Sequence, residues 1–171
     1  NIPGSPVEFS SLLFNENVDQ KIGRLSAIGT MDDKIILFGP KSKFYIVGDG
    51  PSPSGLNNDF TEAIRIAGTT GCTNQASILE IPIGLIYQDP LKGIWLLDRS
   101  LQERFIGAEV SKYNSYQVTS AQLFESENRA IFTLSNGVNL VYDYYVNQWE
   151  TDIYPLGAVD STIFENDLVY I

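Results

Sequence analysis

The sequence predicts an all-β chain of repeated antiparallel meanders, the pattern of β-propeller blades, and three observations carry that expectation. The first is the stretch 130–150, AIFTLSNGVNLVYDYYVNQWE, in which two β-rich runs flank Ser135-Asn136-Gly137. Asn-Gly between such runs predicts a tight hairpin, because both central residues of a type I′ turn require φ > 0. The second is composition: nine Tyr, nine Phe and two Trp in 171 residues suit the pleated, half-buried surface of strands. The third is recurrence. Ser26, Ser77, Ser120 and Ser161 each open a similar unit, and they stand 51, 43 and 41 residues apart. A period of about 40–50 residues with several strands per unit marks propeller blades. One such sheet buries only part of its surface, and stacking neighbours about an axis covers the rest. Even strand spacing also suits a sandwich or barrel, but the internal similarity runs through all four anchors. The expectation is about three blades with an incomplete one at each end. Residues 1–171 then form a single propeller portion, part of a larger propeller.

Taken in order, residues 1–6 read as loop, punctuated by Pro3, Gly4 and Pro6. Residues 7–14 read as a strand, 15–23 as polar turn and 25–28 as a short strand before a turn at Met31-Asp32-Asp33. KIILFG (34–39) and FYIVG (44–48) read as strands joined by Pro40-Lys41-Ser42-Lys43, and 49–59 as a long loop. Residues 60–67 are expected as a strand, 68–74 as loop and 76–81 as a strand before Pro82. GLIYQ (84–88) and GIWLLD (93–98) flank Asp89-Pro90-Leu91-Lys92, and 103–106 returns as a strand. Residues 118–124 precede a turn at 125–128, and Asn147-Gln148 turns into a further strand at Trp149. After a loop at 154–157, residues 161–164 and 168–171 begin another unit around Glu165-Asn166-Asp167.

Composition excludes several function classes. Eleven Lys+Arg against 21 Asp+Glu give a net charge of −10, which argues against a general basic face for nucleic-acid phosphates. Lys34, Lys41 and Lys43 make a small basic cluster, expected as a solvated loop. The single Cys72 excludes an intrachain disulfide and a Cys-rich zinc site. With no histidine, Ser-His-Asp and Cys-His catalysis and His-ligated metals are absent from this chain. No apolar run approaches the ~18 residues of a membrane-spanning helix, and no signal peptide is evident, so no membrane insertion is expected. The chain begins at Asn1 and stops at Ile171 inside an apolar run, so it reads as a piece of a longer polypeptide.

Paired carboxylates are the first chemistry to weigh. Asp32/Asp33, Glu125/Glu127, Asp143 and Asp152 would have to face one another across a sugar to cleave it; most fall in turns, where acids are simply solvated. The sialidase-type signature S-x-D-x-G-x-T-W is absent. Asp49-Gly50 and Asn57-Asn58-Asp59 offer oxygens to calcium but lack the alternating pattern of an EF-hand. Gly68, Gly71 and Gly84 form neither GxGxxG nor a P-loop. Cys72 has no histidine to activate it and reads as a buried or loop thiol. Tyr142, Tyr144, Tyr145, Trp149 and Trp95 could stack on sugars or bases, but alternate residues of a blade face its neighbours, so they are expected in the core. The Tyr-to-Trp spacing of YDYYVNQW is kelch-like, without the kelch Gly-Gly doublet, and the WD40 dipeptides are missing. No catalytic, cofactor-binding or metal-binding residue is expected.

Four stretches in order, KIILFGPKSKFYIVGDGP, TGCTNQASILEIPIGLIYQ, GIWLLDRSLQERFIGAEV and FTLSNGVNLVYDYYVNQWET, resemble the β-propeller region of bacteriophage tail hub proteins. These are the tail accessory factors, or packaged-DNA stabilisation proteins, of short-tailed phages. The resemblance covers about residues 34–151 and departs in detail, as at Asp89-Pro90-Leu91 before Lys92-Gly93. It implies a structural, non-enzymatic component of the virion tail, assembled in the host bacterial cytoplasm. It further implies a homo-oligomeric ring, often hexameric, that meets the portal, its adaptor and other tail proteins in virion assembly, DNA retention and genome ejection. The acidic balance would suit a surface past which DNA slides without sticking. A glycan-binding or glycan-cleaving tail propeller and a kelch-like interaction scaffold are the alternatives.

Overall fold

The structure, a computed structural model, describes residues 24–50, 59–153, 159–164 and 167–170. The loop at 1–6, the strand at 7–14, the turn at 15–23, the loop at 154–157 and most of the loop at 49–59 lie outside the described residues. The fold is all-β. Three four-stranded antiparallel sheets follow one another, and each is a meander in which every strand pairs with its sequence neighbour. The first sheet holds β1 (Ala27–Met31), β2 (Lys34–Gly39), β3 (Ser42–Val47) and β4 (Ile64–Ile66). The second holds β5 (Leu79–Ile81), β6 (Gly84–Asp89), β7 (Gly93–Asp98) and β8 (Glu103–Phe105). The third holds β9 (Val118–Phe124), β10 (Arg129–Leu134), β11 (Val138–Asp143) and β12 (Gln148–Ile153). A fourth begins with β13 (Ser161–Phe164) paired to β14 (Asp167–Tyr170).

The organising hairpin forms, but not through a type I′ turn. Thr133 pairs with Asn139, so three residues close the loop. Gly137 N donates to Leu134 O at 2.8 Å, making Ser135 and Asn136 the central residues. Of the loop residues only Gly137 has positive φ, at 79°. This is a type I turn followed by a left-handed glycine, the usual three-residue closure. Asn136 contributes a side-chain acceptor instead of a left-handed backbone: its Oδ1 takes the Val138 N–H at 3.2 Å.

Other boundaries also differ from the sequence reading: the strand expected over 60–67 forms only at Ile64–Ile66, and the run after Gly137 stops as a strand at Asp143. β1 runs to Met31, which packs inward with no exposure. The stretch expected as one strand at 76–81 opens with a single helical turn, Gln75–Ser77, before β5. Asn74 starts that turn because its Oδ1 accepts from Ala76 N, a local side-chain bond that competes with strand pairing. Lys43 belongs to β3 and not to a solvated connector.

The sheets stack through their faces. Ala27, Met31, Ile36, Phe38 and Ile66 of the first sheet meet Leu85, Tyr87 and Leu97 of the second, with the Phe38 and Tyr87 rings 5.0 Å apart. The opposite face of the second sheet supplies Ile81, Ile86, Ile94 and Leu96, which meet Ala130, Phe132, Leu134, Leu140 and Tyr142 of the third. Because β6 is covered on both faces, all six of its residues are buried. That is why its sequence reads as a run and not as an alternation. The first strands adjoin in series: β1 lies against β5, β5 against β9 and β9 against β13.

One glycine is required by this stacking. Gly71 N donates to Asp89 Oδ2 at 3.0 Å and Cys72 N to Gly39 O at 3.1 Å, so the connector lies on the β2–β3 turn. A Cβ at Gly71 would collide with Gly39 O and stand 2.5 Å from Pro40 C. Both are backbone atoms that cannot swing aside. Gly71→Ala is therefore expected to cost about 1–3 kcal/mol, measured as a lower urea midpoint at unchanged slope.

Candidate functional site: the joints between sheets

The chemistry-bearing side chains of this chain gather where one sheet meets the next. Three links repeat along the first strands. The Ser26 hydroxyl lies within donating distance of Phe38 O in its own sheet (2.9 Å) and of Cys72 O in the next unit. Asn74 Nδ2 donates to Val118 O at 2.6 Å. The Ser120 hydroxyl donates to Ser161 O at 3.2 Å, and the Thr133 hydroxyl lies 3.1 Å from Ser161 Oγ. Each link runs from the opening of one unit to a backbone carbonyl at the opening of the next. Ser77, the remaining anchor, is used inside its unit: its hydroxyl donates to Asn74 O at 2.8 Å and accepts from Gln88 N at 3.2 Å.

Amide side chains complete the first strands, which are edges of their sheets. Gln75 Oε1 accepts from Ile28 N and its Nε2 donates to Ile28 O, each at 2.8 Å. One side chain thus serves both free groups of a β1 residue, as a paired strand would. Gln88 does the same beside β9, accepting from Val118 N at 3.0 Å and donating to Tyr116 O at 2.7 Å. Unpaired edge groups invite pairing with another chain, and these amides occupy them.

The outer part of the first joint holds a buried ion pair. Lys43 is 1% exposed. Its Nζ donates to Thr70 O (3.0 Å), to Thr70 Oγ1 (2.9 Å) and to the Glu103 carboxylate on β8. An ammonium has three donors, and all three are matched. The Thr70 hydroxyl also sits 2.6 Å from the Tyr87 hydroxyl, and the Lys43 charge stands 5.4 Å from the Tyr87 ring centre. Burial pushes the Tyr87 phenol upward, so it stays protonated. Burial also pulls the Lys43 ammonium below its ordinary range, against the opposing pull of Glu103. For Glu103 burial acts upward, but the Lys43 ammonium and the Thr70 hydroxyl outweigh it and hold the carboxyl below its ordinary 4.5.

That shift fixes a pH dependence. A carboxyl depressed in the folded chain contributes stability fully above its unfolded pKa and loses it as pH falls through the folded one. Acidification from neutral through about pH 4.5 and below should thus erode the Glu103 contribution. In Glu103→Gln there is no such carboxyl to protonate. Its stability deficit against the parent, read from urea midpoints at about pH 7 and about pH 3, should narrow on acidification.

The third strands align as SKFYIV, GIWLLD and VNLVYD. Lys43, Ile94 and Asn139 hold the same position, and all three are buried. Lys43 reaches the second sheet, and Ile94 packs on the third. Asn139 is fully buried, and neither Oδ1 nor Nδ2 has a hydrogen-bond partner among the described residues. Its cross-strand neighbour Thr133 bonds to Ser161, so Asn139 lies on the face toward β13.

The acids weighed as catalysts are distributed over separate turns and strands, and Asp32, Asp33, Glu127 and Asp143 are engaged. Asp32, with φ 55°, pairs with Arg99, whose Nε donates to Pro82 O at 2.7 Å. Asp33 pairs with Lys34 at 2.6 Å and Glu127 with Arg129 at 3.1 Å. Glu125 starts the one-turn helix Glu125–Glu127. Asp143 Oδ1 accepts from Tyr145 N (2.9 Å) and Val146 N (3.1 Å), holding the β11–β12 turn. Asp98 holds the β7–β8 turn likewise, through Ser100 N (2.8 Å) and Gln102 N (2.9 Å). Asp152 is exposed on β12, opposite Asn139. Among the described residues, no three of Cys, Asp and Glu converge to hold a metal ion. Asp49 and Asp59 are described, while 57 and 58 lie outside the described residues.

Cys72 is buried, with its Sγ 3.2 Å from Asn74 O and 3.4 Å from Ser77 Oγ, and burial pushes the thiol up, away from the reactive thiolate. Tyr142 and Trp149 stack at 4.8 Å in the core, and Trp95 packs on Phe105 at 5.1 Å. Tyr144 is partly buried against the same core. Tyr145 departs from the expectation: it is 83% exposed at the turn that Asp143 holds. No helix among the described residues is long and apolar enough to cross a membrane. The chain matches no protein-family model and no curated protein sequence.

The Lys43–Thr70–Glu103 cluster escaped the sequence reading, because KSK between two apolar runs looks like a solvated turn. Aligning the three third strands gives the missing signal. They place Lys43 at the position of Ile94, which an apolar residue fills.

Proposed function

We propose that this chain is a structural, non-enzymatic module of a bacteriophage tail, a portion of a β-propeller carried by the hub ring below the portal. The observation that carries the reading is the repeated joint. Successive four-stranded meanders adjoin through their first strands and are tied opening to opening, by Ser26 to Cys72, Asn74 to Val118 and Ser120 to Ser161. A propeller repeats such a joint around an axis. Residues behind the phage-tail resemblance contribute to these joints: Cys72 and Gln75 of TGCTNQAS bond to the first sheet, Asn74 bonds to the opening of the third, and Arg99 of GIWLLDR pairs with Asp32 across the first joint. The amide of Asn139, without a partner among the described residues, supports a fuller fourth sheet, since Lys43 at the same position finds its partner on an outer strand of the next sheet.

In this reading the module works by stacking and docking. Asp143, which a glycan-cleaving propeller would need free, is engaged by its own turn, so no specific observation favours cleavage. Partners would be the portal, its adaptor and other tail proteins, around a homo-oligomeric, six-fold ring in the virion. The test is to label the chain in purified phage particles and locate it by electron cryomicroscopy. Density for the label in a ring between portal and tail tip is the expected result. Particles that lack the chain, or carry it on the capsid, would overturn the proposal.

A further inference from the structure

A cleft of about 200 Å³ opens where the β6–β7 turn meets the segment leading into β9, lined by Thr73, Asn74, Gln88, Pro90 and residues 114–117. In a chain of net charge −10, none of its lining residues is charged. The nearby lysines are turned elsewhere: Lys92 Nζ donates to Thr69 O and Oγ1 at 2.9 and 2.8 Å, and Lys112 stands 4.9 Å from the Tyr113 ring centre.

The walls are fixed by hydrogen bonds of two kinds, through the side chains of Asn74 and Gln88 and through the backbone of 114–117. Asn74 and Gln88 are engaged at both ends of their amides. The segment 114–117 is pinned by Asn114 N to Ser111 O (3.1 Å), Tyr116 N to Tyr113 O (2.9 Å), and a mutual pair between Gln117 and Ser135. The side chains of Thr73, Asn114, Ser115, Tyr116 and Gln117 carry no hydrogen bond to other described residues. Asn114 is seated by Gly93: a Cβ there would stand 2.5 Å from Asn114 Oδ1.

We infer that this cleft is a binding site for a neutral, polyhydroxylated ring of hexose size, either a free sugar or the end residue of a glycan. Among the lining residues, the Asn114 and Gln117 amides each carry a donor and an acceptor, which match vicinal hydroxyls, themselves both donors and acceptors. The Tyr116 and Pro90 rings offer apolar faces for C–H groups. An ion would be desolvated here with no opposite charge to meet it. The volume falls below the roughly 300–1,000 Å³ of drug-sized sites, so the cleft holds one ring and not an extended chain. Preformed walls lower the ordering cost of binding. The inference does not rest on the assembly reading above.

The experiment is a titration of the isotope-labelled chain with methyl glucopyranoside and methyl galactopyranoside, followed by NMR of the side-chain amides. Saturable shifts at Asn114 and Gln117 are expected with at least one of them, with Kd on the order of millimolar. Asn114→Ala and, separately, Gln117→Ala should weaken that binding about tenfold at an unchanged unfolding midpoint. Glucuronate should bind more weakly than the neutral glycosides. A trisaccharide of the preferred sugar separates the sources. Tighter binding of the trisaccharide identifies a glycan end, and equal or weaker binding identifies a single sugar. Absence of saturable shifts with both glycosides, affinity unchanged in both variants, or equal affinity for glucuronate would each overturn the assignment.

Discussion

Lys43→Met should destabilise the fold by about 3–5 kcal/mol, the cost of removing one partner of a buried ion pair and stranding the other. The substitution nearly preserves volume, so the loss is electrostatic. Glu103, with its side chain 13% exposed, would be left beside the Tyr87 and Thr70 hydroxyls without the ammonium bonded to it. The double variant Lys43→Met/Glu103→Leu should regain most of that loss, because well-packed apolar replacements of a buried pair are often neutral or stabilising. Urea midpoints of the two single variants and the double variant give the coupling directly. Additive losses would mean that the two side chains do not act as a unit.

Phe132→Ala should cost a similar amount, about 3–5 kcal/mol, for a different reason. Phe132 is 1% exposed in the second joint and lies 6.2 Å, centre to centre, from the Trp149 ring. Its removal leaves a cavity between two sheets whose backbones are each fixed by their own ladders and cannot close on it. Trp149 reports the event, since its Nε1 donates to Ile106 O at 2.7 Å and would gain solvent contact. A red-shifted tryptophan emission at native pH together with the lowered midpoint is the expected signature. An unshifted emission with a midpoint within about 1 kcal/mol of the parent would show that the joint collapses around the gap.

The strand meanders were legible because their signals are local. Glycine, proline and Asx residues punctuate every turn, and β6 and β7 read as apolar runs because neighbours cover both their faces. The Asn-Gly hairpin was located correctly but its turn was not, since a type I turn with Gly137 left-handed uses the same residues one position out of phase. The 51-residue spacing between the first two anchors hid their inequivalence. Ser26 reaches out of its unit, whereas Ser77 lies in a helical turn and bonds within its own. The edge-completing roles of Gln75 and Gln88 could not be read at all. A glutamine that replaces a strand partner is indistinguishable in sequence from one in solvent, until the distant backbone it serves, 47 residues away for Ile28, is brought beside it. The same holds for Lys43 and Glu103.

Nearest-neighbour strand pairing also sets the order of events as the polypeptide emerges during synthesis. Each meander pairs strands that are neighbours in sequence, a low-contact-order step that proceeds as soon as its four strands are available, with the β3–β4 connection the longest closure. The Lys43–Glu103 pair, 60 residues apart in sequence, must wait for the second meander to be complete. Until then the first meander presents an unmatched ammonium on an otherwise greasy surface, a charge that discourages premature clumping of nascent chains.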